Sequence, residues 1–378
     1  MRRLDFIFFD AGGGHRSAAT ALKLVIERQG WPWQVRLVNL QEVLDPLDIF
    51  GKYTGLRVQD LYNHILKKGW TLGAAKLARI LQALIRFRHD AEVQLLKELW
   101  QKEPPDLVVS LIPNFNRAIH EGAHAASPRT PVVTILTDLA DFPPHFWIEH
   151  ESQYLICGTD KAVEQAYSFG HPPERVFRTS GMILHPRYYE PIDGDRGEGR
   201  RALGLDPDLP TGVVLFGGQG SWAMSGILDR LDRSGLNVQL ILICGHNEAL
   251  ARTLSGRTTR LRKFVLGFTT DVPYYMYLSD FFIGKPGPGS ISEALAMNLP
   301  VILERNAFTL PQERYNADWV REREVGLVVP SFRQIDRAVA DLLEPGTFER
   351  LRANAAAIEN QAVFEIPAIL QRIMESNV

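Results

Sequence analysis

Leu4-Asp5-Phe6-Ile7-Phe8-Phe9-Asp10-Ala11-Gly12-Gly13-Gly14-His15-Arg16-Ser17 is the stretch that decides the fold. An apolar run ends in a glycine cluster and passes into the Ala-rich residues 18–24, which reads as strand, tight turn and helix. The second half opens the same way, with residues 213–216 running into Gly217-Gly218-Gln219-Gly220-Ser221-Trp222-Ala223. Outward from these, residues 4–9, 35–39, 107–110, 132–137 and 154–157 read as strands of the first half. Residues 213–216, 238–244, 264–267, 281–283 and 301–303 read as strands of the second. Most are continuous apolar runs, as expected where helices cover both faces of a parallel sheet. The expected fold is α/β, with two Rossmann-like doubly wound parallel-sheet domains. Gly, Pro and charge concentrate near 186–210. We therefore expect an N-terminal domain over 1–185, a linker over 186–210, a second domain over 211–350, and a helical tail over 351–378 that caps either domain, with packing back on the first as one option.

The 378 residues carry 42 Lys+Arg against 44 Asp+Glu, a net charge of −2, and 45 % are apolar. That excludes a disordered chain and argues against a dedicated nucleic-acid binder. Two cysteines, Cys157 and Cys244, exclude a disulfide scaffold or Cys-rich metal cluster; at strand ends in apolar runs they read as buried, inert thiols. The ten histidines lack zinc-ligand spacing, so no metal site is expected. No apolar run is long enough to span a bilayer, and the run after Met1-Arg2-Arg3 stops at Asp10, short for a signal peptide. A cytoplasmic protein is expected.

The glycine turns carry the chemistry. A strand, a glycine turn and a helix start bring backbone N–H groups and the positive helix end to one point, which suits an anion. His15 stands on the rim of the first turn, as a general base or as a plain cap. Gly218, Gly220 and Ala223 fit the dinucleotide form G-x-G-x-x-A. The next strand, however, ends Ile243-Cys244-Gly245-His246-Asn247, with no acid for a ribose until Glu248. Gly284-Lys285-Pro286-Gly287-Pro288-Gly289-Ser290-Ile291-Ser292-Glu293-Ala294-Leu295 is the strongest local signal: a rigid turn feeding a helix start fit for a diphosphate, with Glu293 in reach of ribose hydroxyls. Ser290 and Glu293 are equally spaced for a capping box.

Taken with Gly267-Phe268-Thr269 and Gln312-Glu313, these motifs resemble glycosyltransferase family 28. Within it the likeness is to monogalactosyldiacylglycerol synthases and processive diacylglycerol glucosyltransferases, more distantly MurG, across residues 4–328. The resemblance implies a GT-B fold, two domains facing a cleft, and inverting transfer from a UDP-sugar without a metal or other cofactor. It implies that Gly14, Gly218, Gln219, Gly220 and Ser221 approach the donor, Phe268 the uracil, Gly289, Ser290 and Ile291 the phosphates, Glu293 the ribose, and Gln312 with Glu313 the sugar. His15 becomes the base. A second match, Thr134-Ile135-Leu136-Thr137-Asp138 followed by His145-Phe146-Trp147, implies that Asp138 assists His15 or orients the acceptor, with Gly13, His145 and Trp147 nearby; read by itself, Asp138 is equally a helix or turn cap.

Residues 57–89 hold seven Lys/Arg against one acid, Asp60, and Leu77, Ile80, Leu81, Leu84 and Ile85 recur at helical spacing. The pattern fits a basic amphipathic helix lying on an anionic membrane surface, or an ordinary surface helix with a solvated basic face. Lys67, Lys68, Trp70, Lys76, Arg79 and Arg86 are the expected docking residues, which makes the protein peripheral to the membrane. The expected activity is hexose transfer, galactose or glucose, from a UDP-sugar to a lipid hydroxyl such as that of diacylglycerol. Two alternatives stay open: a UDP-sugar epimerase or hydrolase on the same fold, and a non-catalytic UDP-sugar-binding protein at the membrane.

Overall fold

The computed structural model describes residues 1–10, 13–47 and 74–376, the side chains of 74–87 excepted. Among the described residues there are two six-stranded sheets, parallel throughout. The first half runs β1 (Arg2–Phe8), α1 (Gly14–Arg28), β2 (Trp33–Asn39), α2 (Leu40–Leu44), α3 (Ala74–Lys102), β3 (Leu107–Ser110), α4 (Asn116–Ala126), β4 (Val132–Ile135), β5 (Tyr154–Cys157), α5 (Asp160–Ser168) and β6 (Val176–Arg178). After α6 (Arg196–Ala202) come β7 (Thr211–Leu215), α7 (Ala223–Ser234), β8 (Gln239–Ile243), α8 (Glu248–Gly256), β9 (Lys263–Leu266), α9 (Val272–Tyr277), β10 (Phe281–Gly284), α10 (Pro288–Ala296), β11 (Val301–Glu304), α11 (Pro311–Glu322) and β12 (Gly326–Val329). The chain closes with α12 (Ile335–Leu343), α13 (Pro345–Ala356) and α14 (Ala362–Ser376). These are two doubly wound α/β domains facing a cleft, the GT-B arrangement.

Strand order places the cleft's chemistry. The first sheet runs β2-β1-β3-β4-β5-β6 and the second β12-β11-β10-β7-β8-β9. The order reverses between β1 and β3 in one and between β7 and β10 in the other. Loops leaving the carboxyl ends of those neighbours diverge to opposite faces and leave a crevice, where such folds hold ligands. The glycine turn with His15 follows β1, the second glycine turn follows β7, and Lys285-Pro286-Gly287 follows β10.

Two strands, β6 and β12, escape the sequence pattern. β6 is a three-residue edge, too short to show a period. β12 opens on Gly326, which reads as a turn; in the sheet a Cβ there would stand 2.1 Å from the Val301 carbonyl oxygen, so only glycine lets the neighbouring strands approach.

The core of the first domain is closed by the far end of the chain. On α1 the buried residues Ala18, Ala21, Leu22, Val25 and Ile26 form one helical stripe. Val363, Ile366, Leu370 and Ile373 of α14 join the same cluster. Each such Leu or Ile contributes about 1.5–3 kcal/mol by leaving water. The chain thus passes between the domains twice, and the two passages are tied together: Asn360 Nδ2 donates to Met182 O at 3.0 Å and Gln361 N to Ser180 Oγ at 2.6 Å. Residues 186–210, expected as linker, are largely fastened to the second domain. Asp195 caps α6 through the Glu198 N–H at 2.8 Å, and buried Arg200 donates to Asp280 at 2.7 Å and to the carbonyls of Leu278 and Pro207 at 2.8 and 2.9 Å.

Candidate functional site

His15 is the second residue of α1, whose start is turned by Gly13 at φ +82°. A left-handed residue brings the helix axis sharply out of β1, and glycine adopts that φ without penalty. Asp10 and Arg16 clasp the base of the turn, with the guanidinium on both carboxylate oxygens at 2.5 Å. His15 is half-buried, and its Nδ1 lies 3.1 Å from Thr137 Oγ1. Loss of solvent lowers its pKa to about 4, opposed by a hydrogen bond to the Leu111 backbone. The imidazole is therefore neutral at pH 7, the form that accepts a proton.

Asp138 follows Thr137 at the carboxyl end of β4. It accepts the indole N–H of buried Trp147 at 2.9 Å, and the Trp147 ring stands 6.0 Å from that of His15. Desolvation raises the Asp138 pKa to about 7; the Trp147 bond opposes the rise. The loop is tied down by Asp141, which accepts the backbone N–H groups of His145, Phe146 and Trp147 at 3.0, 2.9 and 2.6 Å. His145 takes φ +65° in this turn, and its ring packs on Phe169 and His150 at 4.5 and 5.6 Å. Of the expected His/Trp pair it is Trp147 whose ring accompanies His15.

On the facing domain the two glycine turns interlock. Gly217, Gly220 and Gly245 all have positive φ. A Cβ on Gly220 would stand 2.3 Å from Cys244 O, and one on Gly245 2.2 Å from Gly218 O. His246 N donates to Gly218 O at 2.8 Å. Ser221 Oγ accepts the Ala223 N–H at 3.2 Å, which leaves its proton for a ligand. Gln219 Oε1 is enclosed without a protein partner. Phe268 is 58 % exposed and stacks on His246 at 4.1 Å, a flat aromatic pair open to a ligand.

Helix α10 starts at Pro288 with Gly287 as N-cap and no side-chain cap. The capping box between Ser290 and Glu293 is therefore not formed, because both residues lie inside the helix. Ile291 N is engaged by Gly287 O at 3.1 Å, and space around Gly289 is open. Glu293 bonds Tyr188, a residue far away in sequence, and desolvation raises its pKa to about 7. A ribose at Glu293 would share it with that tyrosine. On α11, Gln312 is half-buried and Glu313 buried, with Glu313 Oε1 2.7 Å from Lys285 Nζ. Asn316 Nδ2 donates to Pro286 O at 2.8 Å.

The domains meet here. The Asp138 carboxyl feels the charges of both Glu313 and Lys285, and Phe142 packs on Tyr315 at 5.7 Å. His15, Asp138, Trp147, Lys285 and Glu313 thus belong to one cleft. Lys285, Thr137 and Tyr188 were given no role by the sequence reading, although Lys285 stands within the quoted Gly/Pro motif. Among the described residues no group of three His, Cys, Asp or Glu is placed to hold a metal, and no helix is long and apolar enough to cross a membrane. Of the expected docking residues, Lys67, Lys68 and Trp70 lie outside the described residues. Lys76, Arg79 and Arg86 lie on α3, whose side chains there are also outside them.

Residues 213–372 match the model of the glycosyltransferase family 28 C-terminal domain. Monogalactosyldiacylglycerol synthase 1 of Arabidopsis thaliana chloroplasts is 26 % identical over 383 residues, covering 97 % of this chain and 70 % of that protein. The Spinacia oleracea chloroplast synthase is 25 % identical over 398 residues, covering 100 % and 73 %. Among solved structures, Acinetobacter baumannii MurG superposes with TM-score 0.63 at 12 % identity over 98 % of this chain and 100 % of that one. Anabaena HepE in complex with UDP-glucose superposes with TM-score 0.53 at 18 % identity over 100 % and 99 %.

Proposed function

With residues 213–372 belonging to the glycosyltransferase family 28 C-terminal domains, we propose that this enzyme transfers a hexose from a UDP-sugar to the hydroxyl of a membrane lipid, diacylglycerol being the first candidate. The observation that carries the reading is one cleft: on one domain the neutral, half-buried His15 stands beside Trp147, which bonds Asp138, and Asp138 feels the charges of Lys285 and Glu313 on the other domain, next to an uncapped helix start. The first set is suited to taking a proton from an acceptor and the second to holding an anionic donor. The curated relatives are named for transfer of galactose to diacylglycerol, and a neighbour in fold holds UDP-glucose.

In this reading the N-termini of α7 and α10 and the Gly218–Ser221 turn face the diphosphate. Phe268, held by His246, lies under the uracil, Glu293 takes the ribose, and Gln312 with Glu313 take sugar hydroxyls. The acceptor enters beside Gly13. His15 removes the proton of its hydroxyl, the oxygen attacks the anomeric carbon, and the bond to the β-phosphate breaks with its electron pair leaving on UDP. A single displacement inverts the anomeric centre. Asp138, ionised, offsets the charge that forms on His15, and Trp147 holds it in place. Charge on UDP is met by helix ends and backbone N–H groups, with no metal required. The basic residues between 57 and 89 rest on the anionic membrane from which the lipid is drawn.

The test is UDP release from UDP-galactose, UDP-glucose and UDP-N-acetylglucosamine, with and without anionic vesicles containing diacylglycerol. Release that depends on the lipid is expected; release without it would make the protein a hydrolase, and interconversion of sugars an epimerase. His15→Ala is expected to keep UDP affinity while turnover falls about 100- to 10,000-fold, and unchanged turnover would remove His15 as the base.

A further inference from the structure

We propose that Lys285 is a catalytic residue whose ammonium leaves Glu313 for the donor's diphosphate, so that one movement both neutralises the leaving group and releases Glu313 to the sugar. The inference rests on the UDP-sugar reading above and adds to it a residue and an exchange.

Lys285 is the first residue after β10, at the point where the second sheet's order reverses. Its stem lies between the two phosphate-facing loops. Lys285 Cε would be 4.0 Å from a Cβ on Gly217 in one loop and 3.5 Å from a Cβ on Gly287 in the other. The same Gly287 Cβ position would be 3.9 Å from Glu313 Oε1 and 4.0 Å from Ser290 Oγ. An ammonium stem, a carboxylate and a hydroxyl thus converge on a spot that a glycine keeps open, in front of the uncapped start of α10. An unpartnered acceptor also lies next to the loop after β10. Asn316, fully buried, holds the loop through Pro286 O at 2.8 Å and has no protein partner for its own Oδ1.

The two partners differ in access. The Lys285 side chain is 39 % exposed and that of Glu313 only 10 %, so an anion entering the cleft meets the ammonium first. A lysine on a flexible stem can turn from one oxygen to another with little movement of its backbone. In the transfer, the acceptor oxygen loses its proton to His15 and bonds to the anomeric carbon. The bond from that carbon to the β-phosphate oxygen breaks, and its electron pair becomes charge on UDP. A cation at that oxygen stabilises the state in which this charge develops more than the state before it.

The experiment measures calorimetric affinity for UDP and for uridine, with turnover on diacylglycerol vesicles, in the full chain and in Lys285→Met, Lys285→Arg and Glu313→Gln. Lys285→Met is expected to weaken UDP roughly 10- to 100-fold and uridine less than about twofold, with turnover falling about 100-fold or more. Lys285→Arg restores most of the UDP affinity. Glu313→Gln gives the signature of exchange: UDP binds several-fold tighter, because the ammonium is no longer shared, while turnover falls. Equal losses for UDP and uridine in Lys285→Met would make the lysine structural and overturn the proposal. So would a Glu313→Gln protein that binds UDP more weakly. Should Lys285→Met not fold, Lys285→Arg and Glu313→Gln decide by the same criteria. A wild-type protein that binds neither UDP nor uridine defeats the donor reading itself, a result distinct from failure of the exchange.

Discussion

His15 and Asp138 stand on either side of Trp147, whose ring is 6.0 Å from the imidazole and whose indole N–H bonds the carboxylate, and their surroundings push them in opposite senses. Burial holds the histidine neutral down to about pH 4 and keeps the aspartate protonated up to about pH 7. If the ionised aspartate supports the base, kcat/KM is expected to fall tenfold per pH unit as the pH drops below about 7. Asp138→Asn is expected to flatten that limb at a lower rate; a wild-type profile flat down to pH 5 would leave Asp138 without the role. At this scale sequence legibility depended on distance along the chain. His15 and Glu313 could be singled out because each stands in a short motif. Thr137 against His15, Tyr188 against Glu293 and Lys285 against Glu313 are pairings that only the folded chain makes. A lysine inside a Pro/Gly turn was the available signal for the last of these.

The glycine turns show what an element requires of its residues. Gly245 combines φ +59° with a Cβ position 2.2 Å from Gly218 O, so both backbone strain and collision follow from any side chain. Gly245→Ala is expected to cost more than about 1 kcal/mol of stability and to weaken UDP binding as the two loops part, measured by thermal melting and calorimetry. The strand–turn–helix pattern was readable because glycine marks these turns, whereas the same residue concealed β12, where Gly326 serves close strand approach. The Ser290–Glu293 spacing misled in the opposite way, because the helix is capped at Gly287 and starts at Pro288, three residues earlier than a cap at Ser290 would start it. On α3, Glu92 is 4 % exposed with one carboxylate oxygen unpartnered, and burial raises its pKa from 4.5 to about 7. The native state therefore holds the proton more tightly than the unfolded chain. The penalty for ionising Glu92 is full above pH 7, shrinks as pH falls, and vanishes below 4.5. Glu92→Gln is expected to gain about 2 kcal/mol at pH 8 and nothing at pH 4, read from melts at the two pH values.

For the whole molecule, apolar runs separated by helical stretches announced two parallel sheets, and the sheet order then located the cleft. What the pattern could not show was how the two passages between the halves are held, because Arg200 with Asp280 and Asn360 with Met182 are long-range polar bonds without a local signature. The return of α14 to the first domain makes a sharp stability prediction. Leu370, fully buried there, when changed to Ala is expected to cost about 2–5 kcal/mol. Proteolysis should then attack the first domain before the second; the reverse order would mean that α14 is an accessory. That same return has a consequence for how the protein comes into being. The second domain lies wholly within the interval between β6 and α14, so a ribosome delivers all of its strands while the first domain still lacks the helix that covers α1. Domains generally complete themselves in the order they are synthesised. Here the earlier one must wait with an apolar groove uncovered, and its wait is about as long as the translation of its neighbour.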